Sequence, residues 1–320
     1  MKYFETIRRK LFGEADPPVV TEGQEDLIDT APLPASSMET IQWDLRWGGY
    51  SVGSAQAVGH QRKENEDSLL VLTTSEIGED SLPEFGLFCV ADGAGGHGHG
   101  ELASAIALNT VARYLIKEQF LFQLNSLGSK NTQSTKELMH RAFELSDSSV
   151  NADAKGGVTT LTVALLHGNH LTIGHVGDTR AYLINDGRIQ LVTRDHSVPW
   201  RLVEIGQLSP EEARLHPQRN LLWNAVGKGE KLFVDVFTYP VPIGGYLLLC
   251  SDGLWSGILD GDLQRMIQAS KDPYTICEEM VNQADFSDGS DNITAILVEF
   301  SKEYGKIHSY ANEYFPTTRS

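Results

Sequence analysis

Cysteine is scarce in this 320-residue chain, with three residues and no C-x-x-C pair. Cys89 and Cys250 sit in apolar, strand-like runs (GLFCVA and YLLLCS), where a reduced, buried thiol is expected, and that pattern suits a reducing compartment. Basic residues are also short, 26 Lys and Arg against 43 Asp and Glu. A formal charge of -17 repels nucleic-acid backbones and anionic lipid, so neither is an expected partner. No apolar run is long enough to span a bilayer, and the start MKYFETIRRK has no apolar stretch of signal-peptide type. A soluble, cytoplasmic protein is expected. What remains is an ordinary globular balance, 41% hydrophobic and 22% charged.

Residues 1–12 place Lys2, Arg8, Arg9 and Lys10 beside Phe4, Ile7 and Leu11 at helical spacing. This reads as a frayed or docked terminus, with peripheral contact to a membrane or partner as the alternative. From Gly13 to Thr40 there is no Lys or Arg but there are four prolines, so residues 13–46 read as an acidic, disordered linker. A domain spanning 47–300 and a tail over 301–320 complete the division. Within the domain, runs rich in β-branched and aromatic residues predict strands at Tyr50–Val58, Ser68–Thr73, Glu84–Ala91, Val158–Leu166, His170–Val176, Arg180–Ile184, Arg188–Thr193, Phe233–Tyr239, Gly245–Cys250 and Asn292–Phe300. Asn185-Asp186-Gly187 predicts a hairpin turn. Helices are predicted at Leu102–Leu124, Thr135–Ala152, Leu263–Ala269 and Pro273–Ala284, and a strand-free insertion at about 197–227. Helices bracketing many antiparallel strands imply an α+β fold around a β-sandwich.

Acids recur where strands begin or end. GLFCVADG runs into Asp92-Gly93, and YLLLCSDG into Asp252-Gly253. Glu66-Asp67 precedes a strand, Gly177-Asp178 follows one, and Asp291-Asn292 opens the last. A single such Asp usually caps its own turn. Gathered at one rim, these acids would repel one another without cations. An all-oxygen donor set suits Mg²⁺ or Mn²⁺ better than zinc.

In order, the chain reads Arg62-Lys-Glu-Asn-Glu66-Asp67-Ser68, Ala-Asp92-Gly93-Ala-Gly-Gly-His97-Gly-His-Gly100-Glu101 and Gly157-Val-Thr159-Thr160. There follow Gly177-Asp178-Thr179-Arg180-Ala-Tyr182, Thr193-Arg-Asp195-His196-Ser197, Cys250-Ser-Asp252-Gly253-Leu254-Trp255 and Ser290-Asp291-Asn292-Ile293-Thr294. This order, over roughly residues 47–300, resembles the PPM family, the type-2C metal-dependent Ser/Thr protein phosphatases. The insertion GQLSPEEARLHPQRN resembles the flap of bacterial members. The resemblance implies a four-layer αββα fold with a small helical flap, and hydrolysis of phosphoserine and phosphothreonine by in-line attack of a metal-bridging water or hydroxide. It implies two core Mn²⁺ or Mg²⁺ ions and a third. Asp92 would bridge the core pair, with the Gly93 carbonyl on the second ion and Asp252 and Asp291 on the first. Glu66 would act through water and Asp67 would support the cluster. Arg62 would grip the substrate phosphate, for which a planar guanidinium is well shaped. Asp178 with Asp252 would offer the third site. Phosphorylated Ser/Thr proteins and a cognate kinase system are the implied partners. Where animal members carry a histidine as general acid, this chain has Ala94; His97 and His99 are close in sequence only.

Three rival readings are weaker. Gly93-Ala-Gly95-Gly-His-Gly98 matches a dinucleotide fingerprint, with Glu118 at the spacing of a ribose-binding acid, but Glu118 falls within a helical stretch. Ser68, Ser197 and Ser251 lie near His196 or an Asp, yet none of the three occupies a G-x-S-x-G elbow. The serious alternative is a catalytically silent phosphatase-like module that binds phosphoproteins or partners; every matched ligand is nevertheless present. Because no proposed ligand lies before Arg62, deletion of residues 1–40 is expected to leave turnover of a small phosphoester nearly unchanged. Parallel kinetics and melting curves check this, and a large drop in melting temperature would show a docked element where a linker is expected.

Overall fold

Alternate side chains of a strand buried on both faces must enter two different cores, and the run FGLFCVADGA does so. In this computed structural model, which describes residues 49–74, 85–96, 98–122, 134–269, 272–302 and 304, it forms strand β3 (Phe85–Ala94). Phe85, Leu87, Cys89 and Ala91 face helices, whereas Phe88 and Val90 face a second sheet. The segments 1–12 and 13–46, most of the tail 301–320, and His97 lie outside the described residues.

Two antiparallel sheets result. One has the order β1-β11-β10-β7-β8, formed by Tyr50–Ala57, Ile293–Phe300, Tyr246–Cys250, Arg180–Asn185 and Arg188–Leu191. The other has the order β2-β3-β5-β6-β9, in which β3 is flanked by Asp67–Thr73 and Leu161–His167, followed by His170–Val176 and Asp235–Pro240. The short β4 (Val158–Thr159) pairs with the end of β3. Helices α1 (His99–Leu115) and α2 (Thr135–Asp153) cover the second sheet, packing Ala103, Ala107, Val111, Met139 and Phe143 on it. The first sheet is covered by α5 (Asp252–Gly257), α6 (Asp260–Ile267) and α7 (Pro273–Ser287). Between the sheets lies a third core that includes Phe88, Leu247, Leu249, Ile296, Val298 and Phe300. The expected α+β, four-layer αββα architecture is therefore observed.

Local chemistry sets the boundaries. Ser134 and Glu137 cap α2 reciprocally, and Asp272 accepts the Thr275 N–H ahead of Pro273. Asp186 and Gly187 take positive φ between β7 and β8, as the hairpin signal requires. Inside the insertion are two short helices, α3 (Val198–Glu204) and α4 (Pro210–Arg214), the latter closed by the Ser209–Glu212 capping box.

Three details differ from the sequence reading. Strand β3 runs through Asp92 and Gly93 to Ala94, because β4 offers Gly93 and Ala94 a pairing partner that local sequence does not reveal. Asp252 opens α5, a six-residue helix that sits too close to the strand signal YLLLC to be recognised. The expected helix over Leu102–Leu124 is α1 from His99 to Leu115, widening into a π-helical turn over Ile116–Leu121.

Gly53 in β1 shows how tightly the outer layer sits. A Cβ there would lie 2.2 Å from the Pro273 carbonyl carbon and the Tyr274 nitrogen, both backbone atoms at the start of α7. Gly53→Ala is expected to destabilise the fold by about 3 kcal/mol, the upper end of overpacking costs, because neither backbone can yield. Urea unfolding would measure it, and a loss below about 0.5 kcal/mol would show that α7 is free to shift.

Candidate metal centre

Antiparallel register puts the first two acids face to face: Asp67 opens β2 directly opposite Asp92 on β3. Asp92 is fixed through its backbone. Its N–H donates to Thr160 Oγ1 at 2.9 Å, and its carbonyl accepts the Thr160 N–H and the Thr159 hydroxyl at 2.8 and 2.9 Å. Asp67 is fixed through its side chain, since Thr294 Oγ1 on β11 donates to Oδ2 at 2.6 Å. That bond joins the two sheets. Asp252 arrives at the start of α5, and Asp291 stands just before β11.

Gly93 follows Asp92 because nothing larger fits. A Cβ would lie 2.1 Å from the Gly100 carbonyl oxygen and 2.7 Å from that of Glu66. Glu66 itself is placed by Asn292, whose Oδ1 accepts the Glu66 N–H at 2.8 Å while its amide nitrogen donates to the Val58 and Glu64 carbonyls. One asparagine thus clamps the whole turn carrying Arg62, Glu66 and Asp67. Arg62 leans over the rim, donating from Nη2 to Asp291 Oδ2 at 2.8 Å and from Nε to the Ser290 carbonyl at 3.1 Å, with 44% of its side chain exposed.

The electrostatics are those of crowded anions. Burial first, and then Asp67, Asp252, Asp178 and Asp291, hold Asp92 well above the usual carboxylate range. Burial is also the main cause for Asp67, pushed up to about 6 against the hydrogen bond from Thr294. Asp252 is pushed to about 7 by burial and by Asp291 and Asp67, and hydrogen bonding with Asp92 partly offsets this. Asp178 is raised by burial, Asp252 and Asp195, with Arg180 acting the other way. Among the described residues, two buried side-chain oxygens have no hydrogen-bond partner, Asp67 Oδ1 and Asp252 Oδ1. Both belong to this rim. Orphaned carboxylate oxygens beside mutually repelling neighbours are what a hard cation would satisfy. Among the described residues no three His, Cys, Asp or Glu groups form a ready cage.

Behind the rim lies a second layer. Arg180 forms a buried, bidentate pair with Asp195 through Nε at 3.0 Å and Nη2 at 2.7 Å. The guanidinium sits 3.8 Å over the Trp255 ring, and Trp255 Nε1 donates to the Asp178 carbonyl at 3.0 Å. His196 Nδ1 accepts from the Gly177 N–H at 3.2 Å and the Asn224 amide at 2.8 Å, which leaves the ring proton on Nε2, facing Asp235. His175 beside it is held neutral by burial, down to about 3. Thr159, Thr160, Asn292 and Trp255 all stand within the sequence motifs, but their bracing roles depend on partners tens of residues away. Ala94 is exposed and offers no proton. His99 opens α1 with its carbonyl against Gly157. A G-x-S-x-G string is present at Gly49–Gly53, but it lies in β1, and Ser51 Oγ donates to Glu299 rather than to a histidine.

The raised carboxylates carry a stability consequence. Their folded pKa values exceed the ordinary 3.8, so the cation-free folded protein binds more protons than the unfolded chain between about pH 4 and 7. Their stabilising contribution is full below that window and is lost as pH rises through it. In EDTA, melting temperature is expected to fall from pH 5 to pH 8, and excess Mn²⁺ at pH 8 to restore it. A metal-free melting temperature that climbs across the window would contradict the crowding.

Comparison with known proteins agrees with this fold. The family model described as Protein phosphatase 2C matches residues 51–202. The serine/threonine phosphatase stp of Listeria monocytogenes is 30% identical over 241 residues, covering 75% of this chain and 92% of that protein. The solved serine/threonine phosphatase PstP/Ppp of Mycobacterium tuberculosis superposes with a TM-score of 0.66 at 27% identity, over 79% of this chain and 99% of the other. A catalytic domain of PstP solved in complex with two manganese ions gives a TM-score of 0.63 at 26% identity, over 79% and 99%. With its sandwich, its carboxylate rim and a relative matched over nearly its whole length, the chain belongs to the bacterial PPM family, the protein phosphatases 2C.

Proposed function

We propose that the chain removes phosphate from phosphoserine and phosphothreonine in proteins, at the rim formed by Asp67, Asp92, Asp252 and Asp291. One observation carries this reading: the rim holds the two orphaned buried carboxylate oxygens, and Arg62 stands over it. Asp92, which burial and four neighbouring acids hold well above the usual carboxylate range, would hold two Mn²⁺ or Mg²⁺ ions together with the Gly93 carbonyl, Asp252 and Asp291. Glu66 would act through water, Asp67 would support the cluster, and Asp178 with Asp252 would form a third, outer position. When bound, the cations make water more acidic and offset charge on the phosphoryl oxygens.

The chain's own groups supply the rest. The exposed guanidinium of Arg62 takes the substrate phosphate, exchanging part of its contact with Asp291 for the incoming anion. Thr159, Thr160 and Thr294 keep Asp92 and Asp67 from swinging apart, so the rim needs little reorganisation during reaction. With Ala94 exposed at the position after Asp-Gly, no side chain there protonates the leaving alkoxide, and we assign that proton to water. The substrates are then products of a Ser/Thr kinase. Three free, buried cysteines support a cytoplasmic setting. Among the described residues no helix is long and apolar enough to cross a membrane.

Hydrolysis of a phosphothreonine peptide is expected to require Mn²⁺ or Mg²⁺ and to stop in EDTA. Asp92→Asn should lower core cation affinity and turnover together, more than about 100-fold. Asp178→Asn should leave two cations bound by calorimetry yet impair phosphopeptide hydrolysis. Full activity in chelator, or loss of the core pair in Asp178→Asn, would sink the assignment.

A further inference from the structure

The insertion between Ser197 and Gly227 meets the elements behind the rim through the Thr159–Val226 backbone bridge and through Arg214, which makes three contacts at the end of α5. It is the last residue of α4. Its Nη2 lies 2.5, 2.9 and 3.2 Å from the carbonyl oxygens of Trp255, Ile258 and Ser256. These carbonyls sit at and just beyond the C-terminal end of α5, where a helix leaves acceptors unpaired and a cation is favoured. Asp252 opens that same helix.

Trp255 is held from three directions. Arg214 takes its carbonyl, the Arg180 guanidinium covers its ring at 3.8 Å, and its indole N–H donates to the Asp178 carbonyl. Arg180 in turn lies 5.7 Å from the ring of Trp200 on α3, the other helix of the insertion. The insertion therefore meets Trp255 twice, through Arg214 on the backbone and through Trp200 and Arg180 on the ring. Trp255 meets Asp178 directly. A shift of α4 cannot leave α5 in place unless three half-buried carbonyls lose their donor.

We propose that Arg214 and Trp255 form a latch through which the position of the insertion sets the placement of Asp178, making Arg214 a positioning residue for protein substrates. This rests on the reading above, in which Asp178 serves phosphopeptide hydrolysis. A polypeptide substrate, large enough to press on the insertion, engages the latch; a small phosphoester at the rim does not.

The test uses the full chain. In ¹⁵N-indole spectra, with the Trp255 resonance assigned by Trp255→Phe, Arg214→Ala should move that resonance and speed its hydrogen exchange. In Mn²⁺, Arg214→Ala should lower kcat/KM for a phosphothreonine peptide about tenfold while p-nitrophenyl phosphate changes less than about twofold. Arg214→Met, which keeps the apolar stem but offers the three carbonyls no N–H, should act in the same direction and serves if the alanine variant does not fold. Combined with Asp178→Asn, Arg214→Ala should cost little more on the peptide than Asp178→Asn alone. An unmoved indole resonance, equal losses on both substrates, or additive losses in the double variant would each overturn the latch. If the unaltered chain hydrolyses neither substrate in Mn²⁺, the phosphatase reading falls, while the indole resonance still decides whether Arg214 controls Trp255.

Discussion

Repulsion between carboxylates is the constraint to which the rest of this structure answers. Two unit charges about 4 Å apart repel by about 4 kcal/mol at the effective dielectric of a protein surface. Here Asp67, Asp92, Asp178, Asp252 and Asp291 act on one another through partly dry surroundings. No turn or single strand could hold such a group together. The bracing around it is therefore extensive and drawn from distant parts of the chain.

Most of that bracing crosses between layers. Asp67 belongs to one sheet and its hydrogen-bond donor Thr294 to the other, so the sandwich core that presses the sheets together also fixes the rim. Asn292 ties the turn bearing Arg62 and Glu66 to the start of β11. The buried Arg180–Asp195 pair is satisfied on several sides, by carboxylate, Tyr182 hydroxyl and Trp255 face. Such a pair contributes definition of position more than net stability, because its desolvation cost largely cancels its attraction. The proposed chemistry accordingly rests on braced sheet ends, which the insertion meets through the backbone bridge between Val226 and Thr159 and through Arg214 on α5.

Much of this was legible in the sequence. The capping boxes, the Asn-Asp-Gly hairpin, the two-faced apolar runs and the acids at strand ends depend on neighbours within a few residues, and there local rules suffice. The order of motifs implied the sandwich and the site. Where the reading fell short, the deciding partner was remote. Strand β3 continues past Asp92 because β4, about sixty residues later, pairs with it. Asp252 begins a helix because β10 hands the chain directly into α5.

The sequence by itself determined which groups are available: an all-oxygen, acid-rich donor set, Arg62 just ahead of it, glycine after Asp92 and no histidine at Ala94. These are matters of covalent chemistry and need no fold. Only the tertiary structure decided that Asp67 faces Asp92, that Arg62 is paired with Asp291, and that Trp255 links Asp178 to the insertion. Register, burial and the convergence of charges are properties of packed surfaces. They arise when two sheets share one core, which local spacing along the chain does not encode.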